Sequence, residues 1–213
     1  MTRRIAGMIA CAVLLGGLAA WVGTGAATSF DVEVNARLAP FRLPWLLAAF
    51  LWVTILGTEA AVLGMASAMT ALLWSDGRTR LLRPLWSTVL GAEGTTWALK
   101  FLLARPRPEF LPGVATAISP SFPSAHSTGT VALVGSVACL MARGQRGREH
   151  RGAILAVAVA IVVTIGFSRI YLGVHYLTDV LAGVLVGGFW LLHGFAGPSG
   201  SRVKSSSRSD DDG

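Results

Sequence analysis

The stretch Ser168–Asp179, Ser-Arg-Ile-Tyr-Leu-Gly-Val-His-Tyr-Leu-Thr-Asp, places a cation, an imidazole and a carboxylate between two long apolar runs. His175 and Asp179 are four residues apart, so on a helix their side chains would share a face. A carboxylate that accepts the Nδ1–H of an imidazole fixes its tautomer and leaves Nε2 free as a nucleophile or base. The alternative is a snorkelling Arg169 beside a helix-end histidine at a membrane surface. This stretch alone leaves both interpretations open.

The composition of the chain indicates a membrane protein. Of its 213 residues, 53% are hydrophobic and 14% are charged, and the formal net charge is +7. A soluble domain carries about 25% charged residues. The arginines lie in short clusters between apolar runs, which favours a membrane and excludes a nucleic-acid-binding pattern. Cys11 and Cys139 lie inside apolar runs and indicate neither a disulfide nor a metal site.

The apolar runs predict six transmembrane helices within one membrane domain, residues 1–197, followed by a disordered cytoplasmic tail, residues 198–213. The spans are expected at about 5–27, 57–74, 84–103, 126–141, 152–167 and 175–195. The first run also fits a cleaved signal peptide, which remains an alternative. Residues 31–42 are too polar to span and are expected as an amphipathic segment lying in the interface.

The basic residues predict the topology. Clusters at the N-terminus, in segments 78–83 and 143–151, and in the tail fall on one side of the predicted spans, which the positive-inside rule assigns to the cytoplasm. Segments 105–123 and 168–174 then meet on the opposite face. A site formed there would lie on the extracytoplasmic face of the plasma membrane.

Three polar segments, 100–108, 123–126 and 168–179, share that face and together suit a phosphoryl group. They supply three cations, a hydroxyl, two imidazoles and a carboxylate: Lys100, Arg107, Arg169, Ser124, His126, His175 and Asp179. Cations and helix N-terminal amides stabilise the charge that develops on phosphoryl oxygens. One imidazole can attack phosphorus while the other protonates the leaving oxygen. The pattern indicates no metal and no cofactor, because the histidines lack ligand partners at suitable spacing.

Other polar residues receive plainer interpretations. Ser124 would cap a helix, which is compatible with phosphate binding. Arg105 is expected to be solvated or to face lipid headgroups. Glu93 shares a helical face with Lys100, seven residues on, and would either pair with an inward-facing cation or form an interhelical hydrogen bond.

At these residues the chain resembles the type 2 phosphatidic acid phosphatase (PAP2) superfamily. Lys100 and Arg107-Pro108 match the first motif of that family. Pro123-Ser124-Ala125-His126 matches the second, with Ala125 in place of the usual glycine, and Ser168-Arg169 with His175 and Asp179 matches the third. The resemblance implies an all-α polytopic bundle with a core like that of the vanadium haloperoxidases.

The resemblance also implies a role for each matching residue. His175 would be the nucleophile that forms a phosphohistidine, Asp179 would orient it, and His126 would protonate the leaving group. The phosphate would be held by Lys100, Arg107, Ser124, Ala125 and Arg169, without a metal. The methyl group of Ala125 narrows the oxyanion pocket or excludes a positive φ, but alanine is compatible with a helix start.

The expected function is hydrolysis of a phosphate or diphosphate carried by a membrane lipid. Undecaprenyl diphosphate, phosphatidic acid and phosphatidylglycerophosphate all fit, and the expected partners are that lipid and the bilayer. One alternative keeps the fold and transfers the phosphoryl group to a lipid or sugar acceptor. Another is a non-catalytic anion carrier, which would not account for two imidazoles and a paired carboxylate. Oligomeric state is not indicated by the sequence.

Overall fold

The computed structural model describes residues 2–108, 110–111 and 119–195, and the regular secondary structure within them is helical. The predicted tail, 198–213, lies outside the described residues. The helices are α1 (Thr2–Gly23), α2 (Ala27–Leu38), α3 (Pro44–Ile55), α4 (Glu59–Ser75), α5 (Leu82–Leu103), α6 (Ala125–Met141), α7 (Gln145–Glu149), α8 (Arg151–Tyr171) and α9 (Leu177–Gly194). The predicted all-α class is confirmed.

Among the residues that the structure describes, three helices, α1, α8 and α9, are long and apolar enough to cross a membrane, with mean hydropathies of 2.2, 2.3 and 1.5. Helices α3 and α4 meet the same criterion as a pair bent by 45°, and α6 is apolar but only 17 residues long. Length and composition therefore support three or four spans. The arrangement is compatible with the predicted six, since α1, the α3–α4 pair, α5, α6, α8 and α9 occupy those positions.

The bend between α3 and α4 results from a short break at residues 56–58. Thr58 caps α4, and its hydroxyl accepts a hydrogen bond from Ala61 N at 3.2 Å. Gly57 lies so close to α8 that an added Cβ would come within 2.8 Å of Ile165 Cγ2. The second span, predicted at 57–74, therefore begins at Glu59 and is preceded by a separate apolar helix.

Helices α6 and α9 form the centre of the bundle. Helix α9 packs against α1, α5 and α6, and α6 also contacts α4 and α8. Glycines allow the α6–α9 pair to approach closely. A Cβ on Gly183 would lie 2.6 Å from Ser124 O, and one on Gly187 would lie 2.8 Å from Thr128 O. This close packing brings together the N-terminal ends of the two helices, where the second and third motifs lie.

Helix α2 buries one polar face, formed by Asp31 and Asn35, against the protein, while the charged pair Glu33–Arg37 stays exposed. Asp31 and Asn35 are 0% and 1% exposed, whereas Phe30 and Val32 are each 43% exposed. The sequence predicted an amphipathic segment lying in the membrane interface. The structure differs in that Asp31 and Asn35 face the protein interior. Asp31 faces inward because a cation and a hydroxyl from other parts of the chain bind its carboxylate.

Candidate active site

His175 and Asp179 are paired, but across a helix start instead of along a helical face. Helix α9 begins at Leu177, so His175 precedes it and Asp179 lies in its first turn. Asp179 Oδ2 accepts hydrogen bonds from Tyr176 N at 3.0 Å and from His175 Nδ1 at 3.3 Å. The carboxylate therefore caps the helix and holds the imidazole at the same time.

The tautomer of His175 follows from its second neighbour. Arg107 Nη1 lies 3.0 Å from His175 Nε2 and also donates to Val174 O at 3.0 Å. A guanidinium has no acceptor, so Nε2 must offer a lone pair and the proton must be on Nδ1, facing Asp179. The lone pair at Nε2 is the one that a nucleophilic imidazole requires.

The surroundings of His175 favour its neutral form. Burial lowers the pKa of this imidazole well below its usual value, and the positive charges of Arg169, Arg107 and Lys100 lower it further. Burial likewise lowers the pKa of the Arg107 guanidinium, and the negative charge of Asp179 partly offsets that decrease. Arg107 is held in place by Ser119, whose carbonyl and hydroxyl oxygens accept from Nε and Nη2 at 2.8 and 3.1 Å.

Arg105 belongs to this site, and the expectation that it would be solvated is wrong. Its side chain is 7% exposed, and Nη1 donates to Asp179 Oδ1 at 2.7 Å while Nη2 donates to Asp31 Oδ2 at 2.8 Å. The guanidinium also lies 4.0 Å from the ring centroid of Tyr176. Burial alone would lower the pKa of Arg105, but the charges of Asp179 and Asp31 raise it. Arg105 is thus a buried bridge between two carboxylates.

Asp31 is a part of the site that sequence reasoning missed. Its Oδ1 accepts from Thr178 N at 3.1 Å, and its Oδ2 accepts from Thr178 Oγ1 at 2.5 Å. Thr178 Oγ1 also accepts from Arg105 Nη1 at 2.8 Å. The available signal was the i, i+4 placement of Asp31 and Asn35, which puts two polar residues on one face of α2.

The second motif lies at the start of α6. Ser124 is the N-cap, and its hydroxyl accepts from Ser127 N at 3.4 Å. Ser124 N donates to Asp179 O at 3.0 Å, which joins the second motif to the third. Ala125 is the first residue of the helix, so the methyl group in place of glycine is compatible with its backbone. His126 Cδ2 lies 3.2 Å from the position of a Cβ on Gly57.

Arg169 lies in the last turn of α8, which runs to Tyr171 where a loop from Ser168 was expected. Its Nη1 donates to Thr54 Oγ1 at 2.6 Å. Its carbonyl accepts from His175 N at 3.3 Å, which joins the end of α8 to the backbone of the residue that carries the imidazole. Within the described ranges, the buried Nε of Arg169 has no hydrogen-bond partner.

Lys100 lies in the last turn of α5 and is 1% exposed. Its Nζ donates to the carbonyl of Pro120. Ala104 ends the helix in the left-handed region at φ 46°, and this turn directs the chain toward Arg105 and Arg107. The structure therefore brings all three motifs to one end of the bundle through Arg107–His175, Ser124–Asp179 and Arg169–His175 contacts. The catalytic and phosphate-binding roles of these residues stay predictions.

Comparison with known proteins identifies this arrangement. The PAP2 superfamily profile matches residues 80–200, a range that contains all three motifs. The chain belongs to the PAP2 superfamily. As a PAP2 protein it is a phosphoric ester hydrolase of the membrane-phosphatase type.

Named relatives of this PAP2 chain act on lipid phosphates. It is 32% identical over 188 residues to phosphatidylglycerophosphatase B of Bacillus subtilis, covering 84% of this chain and 89% of that protein. It is 39% identical over 93 residues to decaprenylphosphoryl-5-phosphoribose phosphatase of Mycobacterium tuberculosis, covering 42% and 45% of the two chains. The crystal structure of a transmembrane PAP2 type phosphatidylglycerolphosphate phosphatase from Bacillus subtilis superimposes with a TM-score of 0.81 at 28% identity, covering 89% of this chain and 95% of that chain.

Proposed function

We propose that this PAP2 chain hydrolyses a lipid phosphate through a phosphohistidine formed at His175. The observation that carries the proposal is the arrangement of His175 between Asp179 on Nδ1 and Arg107 on Nε2. This arrangement holds a neutral imidazole with its nucleophilic lone pair directed at a guanidinium. A phosphate bound by that guanidinium would lie next to the attacking atom.

In the first step His175 Nε2 attacks phosphorus, and the bond from phosphorus to the lipid oxygen breaks. His126, as an imidazolium, gives its proton to that oxygen, and the lipid alcohol leaves. Lys100, Arg107 and Arg169 neutralise the charge that spreads over the phosphoryl oxygens, and the Ser124 hydroxyl and the Ala125 amide at the start of α6 donate to them.

In the second step His126, now neutral, takes a proton from water, whose oxygen attacks phosphorus and releases inorganic phosphate from His175. Both histidines return to their starting protonation states, so atoms and protons balance. Asp179 holds the Nδ1 side of His175 throughout, while Arg105 binds its other oxygen. The cycle uses no metal, and a chelator should not reduce its rate.

Phosphatidylglycerophosphate is the first substrate to test, since the Bacillus subtilis relative with that activity aligns over most of both chains. Phosphatidic acid and undecaprenyl diphosphate are the next two. The distribution of basic residues supports an active site on the extracytoplasmic face of the plasma membrane.

The test is rapid quenching of the detergent-solubilised protein with a lipid labelled at the scissile phosphate. We expect acid-labile phosphate on His175 before steady state, and release of inorganic phosphate in the presence of a chelator. His175→Asn should abolish both signals, while Arg37→Gln, on the exposed side of α2, should leave both unchanged. Undiminished phosphate release by His175→Asn would overturn the proposed mechanism.

A further inference from the structure

Four buried side-chain atoms have no hydrogen-bond partner among residues 2–108, 110–111 and 119–195, and they belong to three residues near His126. They are Oε1 and Oε2 of Glu93, Oγ1 of Thr130 and Nε of Arg169. The proposed mechanism gives Arg169 Nε a phosphoryl oxygen as its partner. It uses neither Glu93 nor Thr130, so these two residues need a separate explanation.

Glu93 and Thr130 lie on the same side of α6 as His126. His126, Gly129 and Thr130 are spaced i, i+3 and i+4, so they share one helical face. Glu93 Oε1 lies 2.8 Å from the position of a Cβ on Gly129. A Cβ on Gly57 would be 3.2 Å from both His126 Cδ2 and Thr130 Oγ1. The hydroxyl therefore lies one helical turn, a rise of about 5 Å, from the proposed acid, and the carboxylate packs against the same turn at Gly129.

Burying a carboxylate and a hydroxyl without hydrogen-bond partners costs free energy in an apolar bundle. The sequence suggested a cation or an interhelical hydrogen bond as the partner of Glu93, and the described residues supply neither. It forms no ion pair with a described cation and no hydrogen bond to a described helix. An ionised carboxylate only accepts hydrogen bonds, and a threonine hydroxyl both donates and accepts. An alcohol hydroxyl on a ligand complements both groups.

We propose that Glu93 and Thr130 form a subsite for a hydroxyl group on the alcohol that leaves when phosphate is transferred. This inference rests on the proposed function, because the position of the leaving oxygen is set by His126. A hydroxyl on the carbon next to the ester carbon would lie about one helical turn from His126, where Glu93 and Thr130 are. The preferred substrates are therefore phosphate esters of a polyol such as glycerol, and an alcohol without that second hydroxyl leaves the subsite unpaired.

The test compares two lipids that differ by one oxygen. One is phosphatidylglycerophosphate, and the other is its analogue in which hydrogen replaces the hydroxyl next to the phosphate ester carbon. We expect the wild-type protein to hydrolyse the first with a kcat/KM about 10-fold or more higher, because a site built for a hydroxyl rejects the analogue that lacks it. Glu93→Gln and Thr130→Val should each reduce this preference while changing kcat/KM for the deoxy lipid little.

Glu149→Gln, at an exposed position in α7, is the matched control and should keep the wild-type preference. Equal kcat/KM values for the two lipids in the wild-type protein would overturn the subsite. So would an equal loss on both lipids in Glu93→Gln and in Thr130→Val, which would indicate a purely structural role. Absence of phosphate release from both lipids, and from phosphatidic acid and undecaprenyl diphosphate as well, would overturn the proposed function and the subsite with it.

Discussion

Arg107 donates a hydrogen bond to the Nε2 atom of His175 over 3.0 Å. The guanidinium proposed to bind the phosphate therefore occupies the lone pair of the proposed nucleophile, His175 Nε2. Attack on phosphorus requires Arg107 to exchange this nitrogen for a phosphoryl oxygen. A bound phosphate supplies a stronger, charge-assisted acceptor for that exchange.

The first prediction concerns the pH dependence of kcat/KM, which reports the free enzyme. Burial, Arg169 and Arg107 lower the pKa of His175, so the imidazole stays neutral and active to well below its usual value. Replacing Arg107 with Gln removes a positive charge and makes protonation easier, so the pKa of His175 rises. The acid limb of kcat/KM should therefore move to higher pH, together with a loss of overall rate. An acid limb that stays in place or moves to lower pH would contradict the assigned electrostatics.

The second prediction concerns the buried bridge from Asp31 through Arg105 to Asp179. Asp31→Asn removes one of the two carboxylates that bind the buried Arg105 while Asp179 still pairs with it, and weakening such a buried hydrogen bond to a charged group costs about 1–3 kcal/mol. We expect a loss of that order in the free energy of unfolding in detergent, and a lower kcat because Arg105 is then free to shift relative to Asp179. Glu33→Gln breaks the exposed pair with Arg37 on the same helix and should change neither quantity measurably.

The third prediction uses two glycines near the α3–α4 break. A Cβ on Gly57 would lie 2.8 Å from Ile165 Cγ2 and 3.2 Å from His126 Cδ2, so Gly57→Ala must shift the α3–α4 break away from Ile165 and the imidazole or displace those side chains. We expect kcat to fall by about 10-fold or more, since small misplacements of catalytic groups are costly. Gly64→Ala meets nothing within 4 Å and should keep full activity. Equal kcat values for the two variants would show that the packing around Gly57 does not position His126.

The fourth prediction concerns the C-terminal end of α5. Ala104 has φ 46° and ψ 34°, a left-handed conformation that costs an L-residue about 1–2 kcal/mol. Ala104→Gly should therefore raise the free energy of unfolding by about 0.5–1 kcal/mol, after allowing for the entropy of glycine in the unfolded chain. Ala98→Gly, at an exposed position inside the same helix, should lower it by about 0.5–1 kcal/mol. Thermal or denaturant unfolding of both variants gives the comparison.

Much of the site could be predicted from sequence because its residues occur in short segments. Ser124 as an N-cap, the His175–Asp179 contact and the shared location of the three motifs all follow from local spacing and from the alternation of apolar runs. Each predicted span falls on a helix of the structure because apolar runs of about 20 residues mark such helices, although the bounds of several spans differ. The expectation that His175 and Asp179 would share one face of a helix was wrong, because α9 begins two residues after His175.

Arg105 and Asp31 could not be predicted in the same way. A charge beside a membrane span is usually solvated, and nothing near Arg105 in sequence supplies its acceptors. Its carboxylates come from α2 and α9, each 74 residues away along the chain. The i, i+4 spacing of Asp31 and Asn35 marked a polar face without indicating that it faces the protein. Only the tertiary arrangement shows that this face is buried.

The inward-facing polar side of α2 has a consequence for biosynthesis. Asp31 is translated long before Arg105 and Thr178, which follow it by 74 and 147 residues. Its carboxylate must therefore remain hydrated at the membrane edge while most of the protein is inserted, since a lone charge is not buried. Complete docking of α2 has to await α9, because Thr178 supplies two of the hydrogen bonds to Asp31. A nascent chain released before α9 is made would lack His175 and Asp179 and would hold Asp31 through Arg105 alone.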